Sequence, residues 1–319
     1  ELVGDAPMDL KIGNLRKRSD EQNGDIYHID INPRIAIFPV RTKTLPPATH
    51  TNCFIVGKRE FAVIDAASPF PEEQSNLHGL IDEHLDRGFC CRAIIVSHLH
   101  RDHFGGESAL RDHLREKYGL KVPILGHRIT AADLEGAVAF DGFLEDHERI
   151  SLKDADGEVF DLEILHTPGH ARGHLAFYEP GLGFLLSSDN VVGFGTVVIA
   201  PPQGDMAEYL RSLERMRDLP GLRFLAGSHG AAVFNARGRI QEYIDHRIER
   251  EQQVIEQLSL GNDSPESIAA EIYRGLDPKL IPLAEATVAA HLEKIRKDRS
   301  FKIQNSKQVA ELQKNFRKS

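Results

Sequence analysis

Short apolar runs separated by polar turns recur along the first three quarters of the chain and predict β-strands. The runs 34–40, 51–56 and 61–65 open this series, and Gly57-Lys58 between the last two predicts a hairpin. Longer stretches with apolar residues three or four positions apart alternate with the later runs and predict amphipathic helices. The predicted helices cover residues 71–87, 107–118, 130–134 and 204–217, and the later strands cover residues 93–96, 122–125, 159–165, 174–178, 183–187 and 222–226.

The two ends of the chain differ from this mixed pattern. Residues 1–33 are polar, with a basic cluster followed by an acidic one, which predicts an N-terminal arm or linker. Beyond residue 238 the apolar spacing is helical, with helices expected at 240–260, after the cap Ser264-Pro265, and at 281–297. We therefore predict an arm at 1–33, an α/β domain at 34–237 and a helical C-terminal subdomain at 238–319.

The composition is that of a soluble globular protein, with 41% hydrophobic and 27% charged residues. No apolar run approaches the ~20 residues of a membrane helix, and residues 1–7 show no signal-peptide pattern, so we expect no membrane partner. Cys53, Cys90 and Cys91 give no disulfide framework, which predicts a reducing, cytoplasmic location. The oligomeric state is left open, with a homodimer among the alternatives.

The net charge of −9 is distributed unevenly along the chain. Residues 291–319 contain nine lysines and arginines against three acids, so this tail is +6 and the remainder is −15. A basic tail can be a solvated helix face, or it can offer a local surface for RNA or acidic substrates. The acidic remainder argues against a globally basic nucleic-acid binder.

Four polar clusters each follow directly after an apolar strand. They are the motif His98-Leu99-His100-Arg101-Asp102-His103, then His170, Asp189 and His229. Because side chains at the ends of neighbouring strands converge at one edge of a sheet, we predict that the three histidines and the carboxylate of the motif share a site with the other three residues. Imidazole and carboxylate together suit zinc, manganese or iron, so the sequence predicts a metal site.

The order and spacing of these motifs resemble those of the metallo-β-lactamase superfamily. The resemblance rests on His-x-His-x-Asp-His at 98–103, Thr-Pro-Gly-His at 167–170, Asp189 and Ser228-His229-Gly230. Segments 46–53, 193–196 and 243–251 are most similar to the lactamase-beta-2-like branch, with its glyoxalase II-type motifs. The resemblance implies an αββα sandwich with a winged-helix-like C-terminal subdomain, and a catalytic role for the domain at 34–237.

The resemblance also implies a site for two divalent metal ions, with zinc expected and manganese or iron as alternatives. The implied ligands are His98, His100 and His170 for the first metal, Asp102, His103 and His229 for the second, and Asp189 as the bridge. The two ions would share a hydroxide, and Asp102 could also orient that nucleophile or take up its proton. Asp65 would anchor the histidine-rich loop, and His174 would lie outside the ligand set.

Two positions depart from the usual family pattern. Asp189 is preceded by Ser188, where the family usually has Gly, and His229 is preceded by Ser228, where the family usually has Gly or Ala. The segment between Asp189 and His229 is too short for the inserted domain of the large nucleases. The predicted function is metal-dependent hydrolysis of a small ester, thioester or lactone. Three alternatives stay open: an endoribonuclease on single-stranded RNA, a mononuclear-iron oxidoreductase resembling persulfide dioxygenases, and a non-catalytic binding module.

Overall fold

The structure, a computed structural model, describes residues 15–20, 24–154 and 157–298 of the chain, with side chains from residue 31 onward except at residue 32. The described residues form two compact units. The first unit contains the described residues up to Thr167, together with Gly173–Gly195 and Asp218–Arg239. The second contains Pro168–Arg172, Thr196–Arg217 and the described residues from Ile240 onward.

The first sheet has eight strands within the described part of the chain, and they follow one another in chain order. Strands β1 to β5 pair antiparallel, which confirms the predicted β4–β5 hairpin, whereas β5 to β8 pair parallel. The strands are β1 (Leu15–Asp20), β2 (Gly24–Asn32), β3 (Ile35–Arg41), β4 (His50–Gly57), β5 (Glu60–Ile64), β6 (Cys90–Ile95), β7 (Ile124–Gly126) and β8 (Gly142–Phe143).

The second sheet has five strands among the described residues, in the order β13-β12-β11-β10-β9. Only the pair β12–β13 is parallel in this sheet as described, and the other neighbours are antiparallel. The strands are β9 (Arg149–Lys153), β10 (Val159–His166), β11 (Leu175–Glu179), β12 (Phe184–Ser188) and β13 (Phe224–Gly227).

Three helices belong to the first unit: α1 (Pro71–Leu85), α2 (Glu107–Tyr118) and α3 (Arg128–Asp133). Helix α2 has the bounds that the apolar spacing predicts. It ends at Gly119, whose φ of 68° lies in the left-handed region where a helix cap favours glycine.

The alternation of side chains along β5 places one core on each face of the first sheet. Ala62 and Ile64 join the core between the two sheets, where Phe177 of β11 packs. Phe61 and Val63 point the other way and join a second core that α1 and α2 cover. The first unit is therefore a sandwich of two sheets with helices on the outer face of the first, and the strand ends lie at its edge.

The second unit is helical. Its helices are α4 (Met206–Arg217), α5 (Ala236–Ser259, counted in this unit from Ile240), α6 (Pro265–Ile272) and α7 (Ile281–Lys297), with a 3-10 turn at Pro278–Leu280. Ser264 caps α6 as predicted, since its hydroxyl accepts a hydrogen bond from the backbone N–H of Ser267. Val254, Val288 and Leu292 lie in the core shared by α5, α6 and α7. No helix of the described residues is both long and apolar enough to cross a membrane.

The structure has strands that the sequence patterns did not predict. Strands β1 and β2 lie within the segment expected to be an arm or linker, and β8 and β9 lie between the helix predicted at 130–134 and the strand predicted at 159–165. Two of them carry a signal: Tyr27, Ile29 and Ile31 alternate with polar residues in β2, as Ile150 and Leu152 do in β9. Residues 1–14 of the predicted arm and 299–319 of the basic tail lie outside the described residues.

Candidate metal centre

The loop between β6 and α2 carries the four polar residues of the predicted motif. His98 and His103 are fully buried, and the side chain of Asp102 is 14% exposed. Nε2 of His98 lies 2.9 Å from Nδ1 of His100. The loop closes on Gly106, whose N–H donates to the Ala66 carbonyl at 2.9 Å and where an added Cβ would lie 2.6 Å from that oxygen.

Asp65 anchors this loop, as the family resemblance implied. Its buried carboxylate accepts hydrogen bonds from the Ser97 N–H at 2.8 Å, the Ser97 hydroxyl at 2.7 Å and Nδ1 of His103 at 2.9 Å. Because an ionised carboxylate only accepts, Nδ1 of His103 carries a proton. The other ring nitrogen, Nε2, is buried and has no hydrogen-bond partner among the described residues.

Asp189 and His229 follow β12 and β13 and lie beside the histidine-rich loop. The carboxylate oxygens of Asp189 lie 3.4 Å from Nε2 of His103, 3.5 Å from Nε2 of His229 and 4.0 Å from Nε2 of His98. Nε2 of His229 is also 3.4 Å from Oδ2 of Asp102. The structure thus brings together six of the seven predicted ligands within the first unit, and these are His98, His100, Asp102, His103, Asp189 and His229.

Two of these residues are oriented by neighbours outside the predicted ligand set. Nδ1 of His229 donates to the His50 carbonyl at 2.8 Å, so in the neutral ring Nε2 carries the lone pair. The backbone N–H of Asp189 donates to Nε2 of His174 at 3.2 Å, and Nδ1 of His174 lies 2.9 Å from the Thr167 hydroxyl. His174 therefore contacts Asp189 from outside the ligand set, as predicted.

Asn52 supports the candidate site in a way that the sequence reasoning missed. It is buried in β4, and its side-chain amide donates to the Gly227 and Gly230 carbonyls at 2.9 Å each. Its backbone N–H also donates to the Ser228 carbonyl at 2.7 Å, so Asn52 holds the turn that presents His229. The available signal was an amide side chain directly before the apolar run 53–56 of the same strand.

The Ser188 departure has a structural consequence. Ser188 has a φ of 44°, in the left-handed region that costs a non-glycine residue about 1 kcal/mol. This conformation gives a physical reason for the glycine that is usual at this position in the family.

The pKa values of the histidines in the site are shifted in opposite directions. Burial lowers the pKa of His98 well below its usual value. Burial also acts to lower the pKa of His229, but Asp189 and Asp102 outweigh it and raise that pKa to about 10. The same carboxylates raise the pKa of His103 well above its usual value despite burial. In return His103 and His229 hold the pKa of both acids below the usual range against the opposing effect of burial, so both acids are ionised at neutral pH.

His170 lies in the second unit, on the segment Pro168–Arg172. Its Nδ1 donates to the Val198 carbonyl at 2.9 Å, so in the neutral ring Nε2 carries the lone pair. The segment is held on both sides, because the Ser212 hydroxyl donates to the Pro168 carbonyl at 2.7 Å and the Asp205 N–H donates to the Gly169 carbonyl at 2.9 Å.

The donor set of the first unit fits a divalent metal ion. Neutral imidazole and ionised carboxylate are the ligands that zinc, manganese and iron accept. Nε2 of His103 is a buried ring nitrogen without a hydrogen-bond partner among the described residues, and a ligand bond would satisfy it. The other ring nitrogen of His103 is held by Asp65, which is the arrangement that fixes metal-binding histidines in proteins.

Comparison with known proteins identifies two families. Residues 46–229 match the model of the metallo-beta-lactamase superfamily, and residues 264–300 match that of the beta-lactamase-associated winged helix domain. The chain is 32% identical over 219 residues to the beta-lactamase-like protein 2 homolog of Drosophila melanogaster, covering 67% of this chain and 71% of that protein. It is 27% identical over 274 residues to the atrochrysone carboxyl ACP thioesterase of Aspergillus fumigatus, covering 81% of this chain and 77% of that protein.

A solved structure shows the same fold. The beta-lactamase domain protein from Burkholderia ambifaria superposes with a TM-score of 0.69 at 18% identity, covering 85% of this chain and 88% of that one. The predicted fold class, a metallo-β-lactamase α/β fold with a helical winged-helix subdomain, is therefore confirmed. Since the first family model spans more than half of the sequence, the chain belongs to the metallo-beta-lactamase superfamily.

Proposed function

We propose that this protein is a metal-dependent hydrolase of small acyl compounds, with thioesters as the first candidate and esters and lactones in the same class. The observation that carries the proposal is the convergence of six histidine and aspartate side chains, which could hold metal ions, at the strand ends of the first unit. Support for the thioester comes from the fungal relative, which is named as an acyl carrier protein thioesterase.

We assign the seven residues as ligands in the following way. His98, His100 and His170 would hold one ion, Asp102, His103 and His229 would hold the second, and Asp189 would contact both. The assignment of His170 rests on its Thr-Pro-Gly-His motif and on the hydrogen bond from its Nδ1. Because Nδ1 carries the proton in the neutral ring, Nε2 has the lone pair that could bind a metal. Two divalent cations, zinc in our proposal and manganese or iron as alternatives, would supply Lewis acidity and acidify water at neutral pH.

Asp102 is our candidate for the proton-transfer step. Its side chain is 14% exposed, so a substrate in the mouth of the site could reach it, whereas His103 is fully buried. His103 and His229 keep the pKa of Asp102 low despite burial, so the carboxylate is ionised and able to accept a hydrogen bond from the attacking water. We propose that Asp102 orients this water and takes up its proton.

The charge distribution favours a small acyl substrate over RNA. The body of the chain is acidic, and an acidic surface repels a polyanion. In the described part of the basic tail, Lys294 pairs with Glu251 at 2.7 Å and Lys297 pairs with Asp205 at 3.1 Å. These two cations are therefore already engaged by acids. We further propose a reducing, cytoplasmic setting, because all three cysteines are free thiols.

The test is a substrate panel with the metal-reconstituted protein. A short acyl thioester, its matched oxoester, a lactone and a single-stranded RNA oligonucleotide are assayed with and without a chelator. We expect chelator-sensitive thioester or lactone hydrolysis that falls ~100-fold or more in Asp102→Asn. RNA cleavage that falls steeply with salt, without acyl hydrolysis, would overturn the acyl assignment in favour of the ribonuclease.

A further inference from the structure

Arg247 on α5 is a buried cation to which the proposed function gives no task. It is only 2% exposed, and among the described residues no carboxylate pairs with it. Its Nη2 donates to the Val197 carbonyl at 2.6 Å, and its guanidinium carbon lies 5.4 Å from the centre of the Tyr209 ring. Because burying a charge is unfavourable unless it is compensated, these two contacts define what Arg247 does in the fold.

Both partners of Arg247 belong to the support of His170. Val197 precedes Val198, whose carbonyl accepts the Nδ1 proton of His170 at 2.9 Å. Tyr209 lies directly under Gly169, since an added Cβ at Gly169 would lie 2.2 Å from the Tyr209 Cα. One guanidinium, that of Arg247, therefore contacts both supports of His170. It binds the backbone next to Val198, which fixes the His170 ring, and it lies over Tyr209, against which Gly169 packs.

We propose that Arg247 is a positioning residue for His170, and that α5 thereby takes part in metal binding. The inference rests on the proposed function, in which His170 is a metal ligand. A metal site requires its imidazoles in fixed orientations, and partners one step behind the ligands commonly change metal affinity 10–100-fold. The charged donor of Arg247 would keep the Val197–Val198 peptide, and hence the His170 ring, in one orientation.

The chemistry explains why an arginine suits this position. Its planar guanidinium donates along one edge to a carbonyl while its face lies over an aromatic ring. A lysine ammonium is a point charge that can donate to the Val197 carbonyl but has no planar group to place over the Tyr209 ring at the same time. We therefore expect Arg247→Lys to retain part of the effect and Arg247→Met to lose it.

Arg250 offers a matched control on the same helix. Its guanidinium carbon lies 4.5 Å from the Tyr273 ring centre, and its Nη1 donates to the Gln253 side chain at 2.6 Å. Like Arg247, it has a buried Nε without a hydrogen-bond partner among the described residues. The structure gives it no role in holding Val197 or Val198, so Arg250→Met removes a similar cation–ring contact without touching the support of His170.

The experiment measures zinc release to a competing chelator from the full-length, zinc-loaded protein. The variants are Arg247→Met, Arg247→Lys, Arg250→Met and His170→Ala, and thermal unfolding of each is recorded alongside. We expect Arg247→Met to weaken one zinc equivalent 10–100-fold, Arg247→Lys to be intermediate and Arg250→Met to stay within about twofold of the unmodified protein. In the ¹⁵N spectrum the His170 ring signals should shift in Arg247→Met and not in Arg250→Met.

The outcomes separate this inference from the proposed function. If His170→Ala loses a zinc equivalent while Arg247→Met binds zinc normally, the positioning role is wrong and the proposed function stands. Equal losses in Arg247→Met and Arg250→Met would show a merely structural contribution and would also overturn the positioning role. If His170→Ala retains all of its zinc, the ligand assignment itself is wrong. Should Arg247→Met fail to fold, Arg247→Lys carries the same comparison.

Discussion

His103 and His170 are held in different ways, although each donates a hydrogen bond from Nδ1 and would bind a metal through Nε2. His103 donates to the fully buried carboxylate of Asp65, which follows the strand next to its own in the first sheet. His170 donates to the neutral Val198 carbonyl, and its segment leans on α4 residues and, through that backbone, on Arg247 of α5. One imidazole is fixed by a charged carboxylate and the other by a neutral carbonyl together with the packing of the segment that carries it.

The difference teaches what each histidine is vulnerable to. The support of His103 is a direct hydrogen bond to a carboxylate, so it should fail when the charge of Asp65 is removed. The support of His170 depends on steric fit and on a neutral backbone carbonyl, so it should fail when backbone contact is disturbed. Changes of each kind can therefore be aimed at one region while leaving the other intact.

The largest effect is expected from Asp65→Asn. The amide cannot accept from all three donors, and breaking a buried pair by removing one partner costs ~4 kcal/mol of unfolding free energy. We also expect metal affinity to fall 10–100-fold, because Nδ1 of His103 loses its charged acceptor. Chemical denaturation and chelator competition measure the two quantities.

Asp82→Asn is the matched control for this change. Asp82 also accepts from a histidine, His113 Nε2 at 2.7 Å, but on helices α1 and α2 and with 16% of its side chain exposed. We expect a loss of ~1 kcal/mol and unchanged metal binding. If Asp65→Asn behaves like this control, the charged support of His103 is unimportant.

The next largest effect is expected from alanine substitutions of two glycines, one beside each histidine, that differ in how closely other backbone approaches them. Gly105 in the histidine-rich loop and Gly169 beside His170 share a φ of 128°, a conformation that is strained for any other residue. An added Cβ would meet nothing closer than 3.4 Å at Gly105, but at Gly169 it would lie 2.2 Å from the Tyr209 backbone.

We therefore expect Gly105→Ala to cost ~1.5 kcal/mol of unfolding free energy, from the backbone strain alone, and Gly169→Ala to cost ~3 kcal/mol. Gly169→Ala should also weaken metal binding more than Gly105→Ala, because the clash displaces the segment that carries His170. Paired thermal unfolding and chelator competition decide it. Equal losses in the two variants would remove the steric half of the comparison.

The smallest effect concerns the loss of stability in acid that comes from His78, a residue outside both regions. Burial, with a further contribution from His113, lowers the pKa of His78 to about 4 from its usual 6.5. The unfolded chain therefore binds a proton between these values that the folded protein does not, so stability falls as pH drops from about 6.5 toward 4.

His78→Phe keeps a ring against His113 but cannot titrate, so it should flatten this part of the pH profile. Because His78 is only half buried, we expect the difference to stay below about 1 kcal/mol. Urea unfolding at pH 5 and pH 7.5 measures it. An identical pH dependence in the two proteins would show that other groups dominate the acid sensitivity.

The sequence predicted that the loop 98–103, Asp189 and His229 lie together, because each lies at the end of a strong apolar run, a local signal that needs no knowledge of the fold. It also predicted the bounds of α2 from the apolar spacing and Gly119. The residues that support the site were harder to predict from the sequence. Asn52 and Arg247 act on backbone carbonyls in distant parts of the sequence, and no local periodicity encodes such a partner.

The missed strands have a related cause. The two residues of β8 are too few to show a period, and β9 shows only two apolar positions among charged neighbours. Such strands form because a neighbouring strand offers hydrogen bonds, as β10 does for β9. Tertiary pairing, which a single sequence does not display, therefore set these boundaries.

The most direct test of the central claim is the metal content of the purified protein and of Asp189→Ala, measured by elemental analysis. With Asp189 as the residue contacting both ions, we expect about two equivalents of zinc or manganese per chain in the unmodified protein and less than about one in the variant. One iron per chain with little zinc or manganese would contradict the hydrolase assignment. Full retention of metal by Asp189→Ala would contradict the shared site.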